Sequence, residues 1–144
     1  MKRQLGIQLY SVRSHFSAGQ DIRGSLLRLR EMGYTQIQTY GALPIPASEY
    51  ARFVREAGMQ VIGLHLPFSE FEHIDQIAAL CRTLGTTNAG VGSMPAWLGS
   101  DKASTLRFIE QANAAGAALR PYGIKFTYHH HAFEFARAGE KRIM

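Results

Sequence analysis

Three consecutive histidines and a nearby carboxylate form the segment of this chain with the clearest chemical potential. Residues 128–135 have the sequence Tyr-His-His-His-Ala-Phe-Glu-Phe and directly follow the strand-like residues 124–127. Alternate side chains of a strand share a face, so His129 and His131 are predicted to point one way and His130 the other. Two convergent imidazoles with a carboxylate just past a strand end can hold a divalent metal ion or move protons.

Other polar side chains interrupt predicted strands that are otherwise apolar. Gln8 lies in the first of these strands, Gln38 in the second and His65 in the third. Each one alone is explained by hydrogen bonding inside a packed sheet, because buried polar groups are normally paired. Polar side chains at the same depth on successive strands together favour a site at the strand C-termini, where barrel enzymes carry their chemistry.

A repeated pattern must position these residues: an amphipathic helix, a glycine and a short apolar strand, four times over. The glycines are Gly33, Gly58, Gly85 and Gly123, each at a predicted helix C-terminus. The last helix is predicted to bury a stripe formed by Leu106, Ile109, Gly116 and Leu119. The predicted strands are residues 5–11, 35–40, 60–66, 88–93 and 124–131.

Strands that alternate with helices assemble into a parallel sheet through right-handed crossovers, which is an α/β architecture. Eight such units build a TIM barrel from about 250 residues. The 144 residues of this chain provide five strands and four helices. We therefore predict a partial TIM-type barrel in a single domain over residues 1–144, with residues 139–144 starting the next helix.

Composition and charge narrow the classes of function. Hydrophobic residues make up 46% of the chain and charged residues 19%, and Cys81 is the only cysteine. These values and the lack of a long apolar N-terminal segment predict a soluble cytoplasmic protein with no membrane partner. The net charge is +5, but the arginines are scattered at helix-face spacing, so we expect solvated helix faces and no nucleic-acid partner.

Four stretches of the sequence carry a family resemblance. They are residues 5–13 (Leu-Gly-Ile-Gln-Leu-Tyr-Ser-Val-Arg), 32–34 (Met-Gly-Tyr), 63–67 (Gly-Leu-His-Leu-Pro) and 128–135. With these stretches the chain resembles the sugar phosphate isomerase/epimerase group of the xylose isomerase-like TIM-barrel superfamily. The resemblance covers essentially the whole chain, but only the first half of the usual length of the family.

The resemblance implies an enzyme that uses a divalent metal ion (Mn, Mg, Zn or Co) and acts on a sugar, inositol or related polyol. The metal ion polarises the substrate oxygens, and a general base removes the neighbouring proton. Return of that proton on the other carbon isomerises the substrate, and return on the other face epimerises it. Loss of hydroxide dehydrates the substrate, so a dehydratase or lyase is an alternative.

The resemblance also implies roles for single residues. Glu134 is the implied metal ligand, although the boundary between metal ligands and substrate contacts within residues 129–134 stays open. His65 and His129 are implied as catalytic residues, and His131 and Tyr10 as contacts to the substrate.

Trp97 follows the fourth predicted strand and is a further candidate for substrate binding. Its indole can form an apolar wall over a sugar ring, and packing within the loop explains it equally well.

Two departures from the family pattern affect the expected activity. Gln38 stands where the family often has a glutamate, and a glutamine is neither a base nor an anionic ligand. The remaining metal ligands and catalytic carboxylates of the family come from the sixth to eighth strands, which this sequence does not contain. Because a catalytic metal ion needs about three protein ligands, we do not expect a complete active site in this chain alone.

Three functions of different classes remain. The first is the N-terminal portion of a metal-dependent isomerase, epimerase or related lyase. The second is an inactive half-barrel that self-associates as a binding or scaffold module, since a half-barrel is expected to expose its apolar interior and two strand edges. The third, prompted only by the basic charge, is a nucleic-acid repair nuclease of the same superfamily.

Overall fold

The chain folds into a parallel β-sheet with helices between consecutive strands. A computed structural model describes residues 4–95, 101–135, 137–138 and 141–142. Five strands pair in chain order, each parallel to the next. They are β1 (Leu5–Gln8), β2 (Tyr34–Gln38), β3 (Gln60–Leu66), β4 (Asn88–Val91) and β5 (Lys125–Tyr128).

Within the described ranges, four α-helices connect these strands. Each helix contacts the strand that follows it, and consecutive helices contact one another, so all four cover the same side of the sheet. No helix in this part of the chain is both long and apolar enough to cross a membrane. The helices are α1 (Ile22–Glu31), α2 (Ala47–Glu56), α3 (Ile74–Leu84) and α4 (Lys102–Leu119).

Local sequence determines where these helices begin and end. Asp21 caps α1 by accepting a hydrogen bond from the backbone N–H of Gly24 at 2.8 Å. Asp101 caps α4 in the same way, accepting from the backbone N–H of Ser104 at 2.9 Å. The four glycines predicted at helix C-termini all have positive φ, so that prediction is confirmed.

The register of the sheet separates an apolar helix side from a polar inner face. On the helix side, Leu64 pairs with Ala89, and both are fully buried. On the inner face, His65 pairs with Gly90 and Gly90 with Thr127. Other residues of the inner face include Gln8, Gln38, Gly63 and Asn88.

The inner face is thus more polar than the apolar interior that a half-barrel is expected to expose. The inner face carries amide, imidazole and hydroxyl groups, which water can solvate. Ile62, at 40% exposure, is the large exposed apolar side chain that borders it in the described part of the chain.

The stripe predicted for α4 was wrong in its first half. Leu106 and Ile109 are 50% and 43% exposed. The buried apolar residues of this helix are instead Phe108, Ala115 and Leu119, which recur at i, i+7 and i+11 and so share one helix face. Phe108 fixes that face because its ring packs against Phe68 and Tyr128.

The predicted strands are all present, with shorter C-terminal ends in most cases. After β1 the chain turns into 3-10 conformation over Leu9–His15, and β5 ends at Tyr128. His129 and His131 therefore lie beyond the strand and not on it as predicted. The backbone N–H of His129 still donates to the carbonyl of Val91 at 3.0 Å, which keeps this segment beside β4.

The prediction of a further helix after residue 139 was also wrong. Arg137–Ala138 and Lys141–Arg142 form two short antiparallel strands, β6 and β7. Gly139 and Glu140 separate them in the sequence, and a two-residue connection that contains glycine favours a hairpin over a helix.

Candidate active site

Three imidazole rings lie in a row where the strands end. The ring centroids of His65 and His129 are 5.1 Å apart, and those of His129 and His131 are 4.9 Å apart. β3 supplies the first histidine, and the residues just after β5 supply the other two. His130 stands instead edge-on to Phe135, with 5.2 Å between the ring centroids. The row therefore contains the two histidines that were predicted to converge, together with the one on the third strand.

The environment of His65 disfavours its charged form. Partial burial of the ring lowers the pKa of His65 below its ordinary value of 6.5, and the neighbouring imidazoles of His129 and His131 lower it further. At neutral pH, His65 is therefore a neutral imidazole, which can donate one hydrogen bond and accept another.

Two neighbours confine the ring of His65. The side-chain amide nitrogen of Gln8, on β1, forms a hydrogen bond with Nδ1 of His65. At the other end of the ring, Nε2 lies against the backbone of Gly92, where any Cβ atom would overlap it. The imidazole is thus fixed between a strand two places away in the sheet and the turn after β4.

His65 separates two open hollows. The tyrosine hollow, of about 460 Å³, is lined by Tyr10, Tyr40, His65, Phe68 and Gly92, among others. The histidine hollow, of about 580 Å³, lies on the inner face and is lined by Gln38, His65, Thr127, His129 and His130, among others. Both volumes are in the range of small-molecule sites, about 300–1,000 Å³.

Aromatic and cationic groups build the rim of the tyrosine hollow. Tyr10 and Tyr40 pack edge to face, with 5.7 Å between their ring centroids. The guanidinium of Arg13 lies 4.4 Å from the centroid of Tyr10 and donates to the backbone oxygen of Tyr10 at 3.1 Å. The hydroxyl of Tyr40 donates to the backbone oxygen of Arg13 at 3.1 Å. These contacts fix an exposed tyrosine ring, a surface suited to the apolar face of a sugar.

The structure brings together four of the residues implied by the family resemblance. His65, His129 and His131 form the row, and Tyr10 shares the tyrosine hollow with His65. The other two candidates lie outside the described residues. Trp97 falls within residues 96–100, and the side chain of Glu134 is not described, although its backbone lies in the 3-10 turn Ala132–Phe135.

Sequence reasoning missed the two neighbours that confine His65. Gln8 was recognised only as a polar residue in a strand, because a contact between residues 57 positions apart is not visible in a local pattern. Gly92 was passed over as a residue of the fourth predicted strand. The available signal was the alternation of Gly90 and Gly92 on a short strand, since a glycine in a strand interior often marks the close approach of another group.

The described side chains do not by themselves fit a catalytic metal ion. Among them, no group of three or more histidine, cysteine, aspartate or glutamate side chains could hold one. Gln38 contributes an amide on the inner face where a carboxylate would be a stronger ligand. Since a catalytic ion needs about three protein ligands, we derive no step through a metal ion from these residues.

Solved structures share this fold. A sugar phosphate isomerase/epimerase from Parabacteroides distasonis ATCC 8503 is 24% identical, with a TM-score of 0.76 over 98% of this chain and 57% of that one. An AP endonuclease, family 2, from Brucella melitensis is 16% identical, with a TM-score of 0.65 over 89% and 55%. A xylose isomerase-like TIM barrel protein from Mycobacterium smegmatis, in complex with magnesium, is 13% identical, with a TM-score of 0.61 over 87% and 54%.

No family model and no curated protein matches the sequence. The chain spans a little more than half the length of each of these three structures. At these identities the likeness concerns the fold, and the three neighbours carry different activities in their names. The chain is therefore similar to sugar phosphate isomerase/epimerase and xylose isomerase-like TIM barrel proteins, and it folds as about half of such a barrel.

Proposed function

We propose that this chain forms the N-terminal half of a divalent-metal-dependent isomerase or epimerase that acts on a sugar or polyol in the cytoplasm. The observation that carries the proposal is the row of His65, His129 and His131 at the strand ends, beside a hollow of about 460 Å³. Imidazoles move protons near neutral pH, and the strand C-termini of a TIM barrel are where such chemistry takes place.

The reaction requires removal of a proton from the carbon next to a carbonyl group. His129 is exposed and is the proposed general base. His65 is partly buried and faces the developing negative charge on the carbonyl oxygen. His131 and Tyr10 contact the hydroxyl groups and the ring of the substrate.

A divalent ion bound at this site would supply polarisation of the carbonyl oxygen. Glu134 is the proposed ligand from this chain, and the remaining ligands would come from outside it. With or without the ion, the histidines act on the substrate directly, by holding or moving protons.

Two alternatives to this function follow from the sequence and the exposed surface. A dehydratase or lyase would use the same proton abstraction and differ only in the fate of the intermediate. A self-associating half-barrel is favoured by exposed apolar side chains at both ends of the structure, Leu5 on β1 and Leu106 and Ile109 on α4.

The proposal includes no nucleic-acid partner, and part of the basic charge is paired. Arg23 pairs with Glu56 at 2.7 Å, and Arg52 pairs with the same glutamate at 2.9 Å. These pairs lie on helices α1 and α2, so part of the basic charge is compensated on the outer surface.

Binding and proton exchange together test the proposal. The histidine side chains are followed by NMR in the complete barrel, with the proposed second half present, while aldoses, ketoses, sugar phosphates and inososes are added with Mg²⁺. We expect one class of these added compounds to shift the resonances of His65 and His129 and to leave those of the exposed His73 unchanged.

The same samples in D₂O report proton abstraction through deuterium uptake at the carbon next to the carbonyl. We expect His129→Gln to slow this exchange about 100- to 10,000-fold, the usual contribution of a general base, and the control His73→Gln to leave it unchanged. Absence of both shifts and exchange with every class would overturn the proposal.

A further inference from the structure

The contact between Gln8 and His65 bears on which ring nitrogen carries the proton. Gln8 ends β1 and His65 lies on β3, so the glutamine side chain reaches past β2 to Nδ1 of the imidazole. The atom of Gln8 that meets Nδ1 is the amide nitrogen, which donates hydrogen bonds and accepts none. With the amide nitrogen in this place, Nδ1 is the acceptor and the proton of the neutral ring sits on Nε2.

Gly92 provides the space for that second nitrogen. A Cβ atom at this position would overlap Nε2 of His65 and also crowd the two adjacent ring carbons. The bare backbone lets the ring extend to the wall of the tyrosine hollow, which Gly92, Ser93 and His65 line together. His65 and Gly92 thus lie side by side at the wall of this hollow.

We propose that Gln8 is a positioning residue that holds His65 as the Nε2-protonated tautomer, with Gly92 leaving room for that N–H at the tyrosine hollow. This inference rests on the proposed function and divides the work between two histidines. His65 donates a hydrogen bond to the carbonyl oxygen of the substrate and keeps its proton. The substrate extends from the tyrosine hollow past His65 to His129, whose ring centroid lies 5.1 Å from that of His65. The C–H bond breaks, its electron pair forms the C=C bond of the enediolate, and the proton passes to His129.

Substitutions of Gln8 separate this role from simple packing. Gln8→Glu replaces the donor by a carboxylate that only accepts, so it should draw the proton to Nδ1 of His65. Gln8→Met keeps a similar length and volume without a hydrogen bond, so it should leave the tautomer without a preference set by this residue.

The test reads the tautomer directly in the complete chain, without any substrate. The ring nitrogens of the six histidines are observed by long-range ¹H–¹⁵N NMR at pH 8, and His65→Asn identifies the signals of His65. We expect the native chain to show protonated Nε2 and free Nδ1, Gln8→Glu to show protonated Nδ1, and Gln8→Met to show a mixture. The signals of His73 should stay the same in all variants.

Two outcomes would overturn the inference: a native His65 protonated at Nδ1, or the same tautomer in the native chain, Gln8→Glu and Gln8→Met. Gly92→Ala adds a second check, because it should displace the ring and shift the His65 signals even where Gln8 is intact. Because the tautomer is measured without substrate, this result is independent of the exchange assay. A correct tautomer with no exchange would count against the proposed function alone.

Discussion

The two sides of the five-stranded sheet differ in burial and polarity. On β3, Leu64 and Leu66 face the helices and are buried, while His65 between them faces the inner side and is partly exposed. The same contrast repeats on β4 and β5, where Ala89 and Phe126 alternate with Gly90 and Thr127. A strand has a side-chain period of two, so one short sequence specifies both surfaces.

The contrast teaches how this chain separates stability from chemistry. The helix side brings together apolar side chains from strands and helices in one buried core, and burial of such area is the main stabilising term in folding. The inner face instead collects groups that donate, accept or move protons. Two of its side chains lie against glycines: His65 against Gly92 in the turn after β4, and Thr127 against Gly90 on β4.

The largest expected difference between the two sides comes from adjacent residues of β3. Leu64, at 1% exposure, is in the core, so Leu64→Ala should lower the free energy of unfolding by about 2 to 5 kcal/mol. His65→Ala removes one hydrogen bond from a partly exposed side chain and should cost only about 0.5 to 1.5 kcal/mol. Urea unfolding at pH 8 measures both values. Equal losses would contradict the division between the two sides.

Glycines of the inner face provide a second comparison. A Cβ atom on Gly90 would overlap the hydroxyl of Thr127 and stand 3.2 Å from the backbone oxygen of that residue. Gly90→Ala should therefore destabilise the fold by about 1 to 3 kcal/mol, the usual range for overpacking. On the matched glycine, Gly63, the nearest atoms are Asn88 Cβ at 3.6 Å and the Gln38 amide at 3.7 Å, an ordinary contact.

Gly63→Ala is the control for that substitution, because it adds the same methyl group to the neighbouring strand. We expect it to change the unfolding midpoint in urea much less than Gly90→Ala does. If both variants lost stability equally, the close approach of Thr127 to Gly90 would not be the cause.

Exchanging valine and threonine at buried positions tests whether polarity alone distinguishes the surfaces. Val91→Thr places a hydroxyl in the core and should cost about 1 to 3 kcal/mol of unfolding free energy. Thr39, at the end of β2, is 1% exposed, and within the described residues its hydroxyl has no hydrogen-bond partner. Thr39→Val should therefore be neutral or stabilising. Thermal unfolding of both variants shows whether each substitution lowers or raises stability. A large loss of stability in Thr39→Val would mean that the hydroxyl has a hydrogen-bond partner after all.

The sequence was sufficient to predict most of the helix side. Apolar periodicity and the glycines after each helix located five strands and four helices, because both signals are local. The stripe on α4 was the exception, since a helix rich in alanine offers several faces of similar hydrophobicity. There the aromatic packing of Phe108 selects the buried face, and that packing depends on residues distant in the sequence.

The candidate site was predictable only in part. The histidines were visible because three imidazoles in a row are unusual by type. The contacts that confine His65 were not visible, because Gln8 and Gly92 meet the ring only after the four strands β1 to β4 have been placed side by side. Local patterns can therefore nominate a reactive group, but its tautomer and orientation depend on tertiary contacts.

The smallest expected effect is a pH dependence that originates on the inner face. Because the pKa of His65 is lowered in the folded chain, the unfolded chain binds more protons as the pH falls below 6.5, and the free energy of unfolding decreases. The pKa values of the Glu56 and Asp101 carboxyls are also lowered, from 4.5 and 3.8, so their effects arise at more acidic pH. Urea unfolding between pH 7.5 and about 5.5 should therefore show a free energy of unfolding that rises with pH. The slope of this rise should be reduced in His65→Asn and retained in His73→Gln. An unchanged slope in His65→Asn would mean that the charge of this histidine is tolerated in the folded chain, and the inner face would then be as well solvated around His65 as at its open edge.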